Sequence, residues 1–136
     1  MRKYEDLRFI HENTMKPRAH YIPYDSLEKA LVGDKSKSEF YTLRNGIWDF
    51  KYYSRDIDCP DVITEWDRVK VPSCWQTTGY EKPYYTNVEY PYPVDPPYVP
   101  NDNPVVVYRT KINVSDVEAQ RENYIILINF LYNIVS

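Results

Sequence analysis

A chain of 136 residues with 43% apolar and 27% charged content has the size and composition of one soluble globular domain, which excludes a wholly disordered segment. Its net charge of −3, with Lys and Arg scattered along the chain, excludes the basic block that binding to nucleic acid or anionic lipid needs. Neither nucleic acid nor membrane is expected as a partner.

The first residues, MRKYEDLRFIHENTMKPRAH, are broken by charge every two or three positions, so no signal-like or membrane-length apolar run is present and a cytoplasmic chain is expected. Up to about Tyr24 neither helical nor strand period is sustained, and Pro17 and Pro23 predict an extended arm. Asp25 to Ala30 predicts one helical turn capped by Asp25 or Ser26, and Gly33 to Ser38 a polar turn. Residues 1–38 are therefore read as arm and turn, and residues 39–136 as the folded domain.

Within that domain Asn45-Gly46 is a strong turn signal, and Gly46 to Tyr53 (GIWDFKYY) predicts a strand with Ile47 or Trp48 leading one face. Ser54 to Asp67 reads as an acidic surface connection with room for a helical turn, and Arg68 to Val71 as a short strand stopped by Pro72. Pro83 to Pro104 is rich in proline and tyrosine; each proline removes a backbone donor, so the segment is a long ordered loop rather than strand or helix. Val105 to Val114 predicts a strand, Ser115 to Glu122 a polar excursion, and Tyr124 to Phe130 (YIILINF) a buried strand. Short strands with little helix predict an all-β, antiparallel, jelly-roll-like β-sandwich.

Candidate chemistry is sparse. Cys59 and Cys74 lack the short spacing of metal or redox motifs and read as free thiols, while His11 and His20 have no third ligand in view. The pairs Asp56/Asp58 and Glu65/Asp67 read as solvated charge on a loop. Trp48 and Trp75 read as core rather than as rings that stack on sugars, Trp66 is open between these two uses, and Asn87 taken alone reads as a turn-former.

Three pieces of sequence resemble family 2 glycoside hydrolases of the β-galactosidase type. Asn13 to Tyr24 (NTMKPRAHYIPY) is similar to the arm that precedes their sandwich domain. Leu43 to Phe50 (LRNGIWDF) is similar to an L-N-G-x-W-x-F strand motif, with Arg44 between Leu43 and Asn45. The long run VPSCWQTTGYEKPYYTNVEYPYPVDPPYVPNDNP is similar to V-P-S-x-W-x-x-x-G-Y-x-x-P-x-Y-T-N followed by Y-P and N-P, and is the most specific of the three.

The resemblance implies the N-terminal, galactose-binding-domain-like sandwich of such an enzyme, incomplete at its C-terminal end. In the family a (β/α)₈ barrel carries both catalytic carboxylates, which in a retaining glycosidase stand about 5 Å apart. No catalytic residue and no metal ligand is therefore carried onto this chain. The family's Mg and Na ions are implied to sit mainly in the other domains, with no cofactor here.

The resemblance assigns Asn87 and Val88, through the Y-T-N-V match, to a loop that reaches the galactoside pocket of the barrel. An amide there offers donors and an acceptor to sugar hydroxyls, so its role would be positioning rather than proton transfer. The implied partners are the galactoside, the rest of the enzyme chain and other copies in a homo-oligomer. An autonomous carbohydrate-binding module built on the Tyr-rich loop, and an oligomer-assembly segment built on the arm, are the two other readings. Val106 stands where the family has glycine, which predicts local strain if positive φ is needed there. Leu131 to Ser136 departs from the family's continuation, which predicts a frameshifted or early-ended reading.

Overall fold

The structure is a computed structural model that describes residues 3–82 and 94–127. The chain divides into two compact units, Met1–Asn45 and Gly46–Ser136.

The first unit is built from short turns. Single 3-10 turns form at Lys3–Glu5 and Leu7–Phe9, and the backbone then runs without helix or strand until α1, Leu27–Val32. Ser26 caps α1 by accepting from the Lys29 amide, so of the two expected caps it is Ser26 that serves; Asp25 instead pairs with Lys29 at 2.6 Å. Gly33 ends the helix at φ 71°, a left-handed conformation in which its amide donates to the Lys29 carbonyl. The expected polar turn follows as a 3-10 turn at Lys35–Lys37, after which the Ser38 hydroxyl donates to the Pro23 carbonyl at 2.6 Å.

The second unit holds a three-stranded antiparallel sheet of order β2-β1-β3: β1 is Gly46–Tyr53, β2 Asp67–Val71 and β3 Val105–Arg109. The unit is all-β in character, since the one α-helix among its described residues, α2 at Asp116–Ala119, is a single turn held by a Ser115/Glu118 capping box. The period of two along β1 sends Trp48, Phe50 and Tyr52 to one face, where they meet Val69, Val71, Val106, Tyr108, Trp75 and Tyr80. Of the two residues expected to lead a face, Trp48 is on the core side and Ile47 on the outer side, 56% exposed. Phe50 is wholly buried, with its ring edge-on to Tyr80 at 4.6 Å and to Tyr108 at 4.9 Å.

The expected strand Gly46 to Tyr53 is β1, entered directly from Asn45. Three expectations are corrected. The strand expected to reach Val114 stops at Arg109, because only Val105 to Arg109 finds a partner row, against Tyr53 to Asp49. Of the buried strand expected over Tyr124 to Phe130, Tyr124 to Leu127 is neither strand nor buried: no described strand pairs with it, and its exposures are 45, 75, 53 and 61%, while Ile128 to Phe130 lie outside the described residues. An apolar run is buried only where a surface exists to receive it. Val106, finally, carries no strain of the expected kind, since Asn13 is the only non-glycine residue at positive φ among the described residues and Val106 pairs with Tyr52 in β3.

Candidate functional site

Two features of the second unit bear on function: the roots of the proline-rich loop on the core side, and a charged concavity on the outer side.

The loop leaves the sheet through Pro72 and a 3-10 turn at Trp75–Thr78. Here Trp75 is 3% exposed and tilted against Tyr52 at 5.5 Å, which bears out its reading as core. The turn is tied by the Thr77 and Thr78 hydroxyls, which donate to the Cys74 and Trp75 carbonyls at 2.8 Å. Gly79 then takes φ 95°, a conformation that side chains resist, and this turns the chain so that Tyr80 drops onto Phe50.

Burial pushes the Tyr80 phenol above its ordinary value, and the charge and hydrogen bond of Asp67 push it the same way. Burial likewise raises the Glu81 carboxyl at the mouth of the loop. At the far root the Tyr98 amide donates to the Asp95 carbonyl at 2.9 Å, and the Asp56 amide donates to the Asn103 carbonyl at 2.9 Å, just before β3. The near root is thus packed on the sheet, and the far root is tied to the 3-10 turn at Asp56–Asp58 that follows β1. Asn87 and Val88, together with the tyrosines between Tyr84 and Tyr92, lie outside the described residues.

On the outer face a concavity of about 380 Å³ is lined by Ile47, Asp49, Arg68, Arg109, Thr110 and Lys111. The register places Arg68 and Arg109 directly opposite Asp49 on its two sides. Arg68 Nη1 donates to Asp49 Oδ1 at 3.2 Å, and Arg109 Nε and Nη2 donate to Oδ2 at 3.1 and 2.9 Å. The Arg109 guanidinium also lies 4.0 Å from the centre of the Trp66 ring, and the Trp66 indole N–H donates to the Ile63 carbonyl at 3.1 Å. Trp66 is thus half-buried and supports an arginine. This row was missed in the sequence because each member alone reads as an ordinary surface charge. The available signal was alternation, since Asp49, Arg68 and Arg109 each occupy the outward position of a strand.

The remaining candidates have bland surroundings. Cys59 and Cys74 are free, with the Cys74 thiol donating to Gln76 Oε1 at 2.9 Å. Asp58 is held by Arg55 at 2.8 Å, which lowers its carboxyl below the usual range. Among the described residues no group of three or more His, Cys, Asp or Glu could hold a metal ion, and no helix is long and apolar enough to cross a membrane.

The sequence model of one family, described as "Glycosyl hydrolases family 2, sugar binding domain", matches residues 41–134. The chain belongs to this family. Curated relatives named beta-galactosidase include one from Actinobacillus pleuropneumoniae, 36% identical over 115 residues that make up 82% of this chain and 11% of the relative. A second, from Psychromonas ingrahamii, is 36% identical over 92% of this chain and 13% of its own length. A third, from Alteromonas mediterranea, is 37% identical over 76% of this chain and 11% of its own. The chain thus spans between 11% and 13% of the length of these relatives, and the family's sugar binding domain takes in all three strands of the sheet.

Proposed function

We propose that this chain is the sugar-binding segment of a β-galactosidase whose whole form hydrolyses terminal non-reducing β-galactosides with retention. The observation that carries the reading is the naming of its relatives as β-galactosidases, over most of this chain but about a tenth of theirs. The three-stranded sheet would be part of a jelly-roll sandwich. The loop rooted at Tyr80 and Tyr98 would offer Asn87 and Val88 to a galactosyl ring held by the rest of the enzyme.

The chemistry favours a division of labour. Retention requires a nucleophilic carboxylate and an acid/base carboxyl about 5 Å apart across the sugar. Asp49 is engaged by two arginines, Asp58 by Arg55 and Asp67 by Lys51 at 3.8 Å. Both proton transfers, and the Mg and Na ions of the parent, would belong to other domains. Asn87 would orient the ring by hydrogen bonds to its hydroxyls, and the prolines around it would reduce the entropy lost on binding.

The test is a chimera in which this chain replaces the matching segment of the Actinobacillus pleuropneumoniae enzyme. The chimera should turn over nitrophenyl β-galactoside, the isolated 136-residue chain should not, and Asn87→Ala in the chimera should raise KM by about tenfold with a smaller effect on kcat. Turnover by the isolated chain, or an Asn87→Ala chimera with unchanged KM, would contradict the proposal.

A further inference from the structure

The outer concavity has no part in the loop's proposed role, and its composition points to a ligand. Arg68, Arg109 and Lys111 surround a single carboxylate, Asp49, in a chain whose net charge is negative. Asp49 does not exhaust its neighbours: it takes one N–H of Arg68 through Nη1 and the Nε and Nη2 donors of Arg109. A guanidinium has five N–H donors, so among the described residues Arg68 Nε and Nη2 and Arg109 Nη1 are left to a further acceptor, beside the Lys111 ammonium and the Thr110 hydroxyl.

The two guanidiniums are also pre-positioned. Arg109 is fixed between the Asp49 carboxylate and the Trp66 ring, while the Arg68 side chain, 67% exposed, reaches the same carboxylate from the opposite strand. Holding the donors in place before binding removes much of the entropy cost of capturing an oxyanion. The remaining wall is one exposed apolar side chain, Ile47, and the volume of about 380 Å³ admits a single sugar ring.

We infer that this concavity binds an acidic saccharide, a sugar ring bearing a carboxylate or sulfate, with the oxyanion on Arg68, Arg109 and Lys111 and a ring hydroxyl on Thr110. The saccharide part rests on membership of the sugar-binding family; the requirement for negative charge rests on the geometry alone. The site lies on the opposite face of the sheet from the aromatic core at the loop's root, so its failure and that of the β-galactosidase reading are separable: the chimera reports turnover and Asn87, the experiment below neither.

Saturation-transfer NMR on the dilute isolated chain would compare galacturonate, galactose and inorganic phosphate. Galacturonate should bind saturably and at least about tenfold more tightly than either of the others. Arg68→Gln and Lys111→Gln should each weaken it by about tenfold without moving the urea unfolding midpoint appreciably, and added sodium chloride should weaken it further. Equal affinity for galactose would overturn the role assigned to charge. Equal affinity for phosphate would overturn the saccharide and leave an adventitious ion only. Absence of galacturonate binding, or binding indifferent to both variants, would overturn the site.

Discussion

Phe50 falls to 0% exposure while the other apolar core residues, Val69, Val71 and Trp75, keep between 3 and 6%. Its ring meets Tyr80 and Tyr108 edge-on, so it joins β1, β3 and the root of the loop in one contact set. Removing a buried phenylalanine ring typically costs about 3–5 kcal/mol, from lost transfer energy and the cavity left behind. The total stability of a native domain is only about 5–15 kcal/mol. Phe50→Ala is thus expected to abolish cooperative unfolding in urea at 25 °C, whereas Ile47→Ala, on the outer face of the same strand, should leave the transition nearly in place. At this scale the sequence was legible where period decides: GIWDFKYY alternates, and its core face follows. It was illegible where register decides, because the meeting of Asp49 with Arg68 and Arg109 depends on which residues of three distant segments lie opposite one another.

Between elements, the segment after β2 and the strand β3 meet the core through phenols. Burial pushes the Tyr108 hydroxyl above its ordinary value of 10.0, with the Cys74 charge acting in the same direction, and Tyr80 is raised by burial and by Asp67. A group with a raised pKa in the fold keeps its proton there after the unfolded chain has begun to lose it. The folded state then binds more protons, and stability falls with pH. These two phenols contribute fully below pH 10.0, and their contribution is lost as pH rises from there through their folded-state values. Urea midpoints measured on either side of that window should fall on the alkaline side, and the fall should be shallower in Tyr80→Phe and Tyr108→Phe; an identical slope in all three proteins would show that other groups set it. The elements themselves were legible in part. Proline placement gave the end of β2, while the end of β3 could not be read, because alternation continues through Lys111 to Val114 without a described strand to pair with.

For the molecule as a whole, the balance of buried and exposed apolar surface sets its behaviour in solution. Four apolar residues form the buried core of the described structure, and the sheet has three strands, so both β2 and β3 have an edge without a described neighbour. Exposed edges recruit other strands, and a contiguous apolar stretch beside them adds a driving force for association. Ile125, Ile126 and Leu127 form a contiguous apolar stretch at 75, 53 and 61% exposure. The composition of this run predicts a buried strand, since β-branched residues at that density seldom face water; composition does not supply the surface that would cover it. In a β-galactosidase of the proposed kind, the remaining chain would do so. Expressed alone, the chain is expected to associate with rising concentration, giving a sedimentation coefficient that climbs across a dilution series. Ile125→Lys should shift that climb to higher concentration without lowering the urea midpoint, because a charge opposes stacking of this stretch while an exposed side chain contributes little to the fold. A monomer at every concentration in the unaltered chain would mean that the stretch is covered within the chain itself.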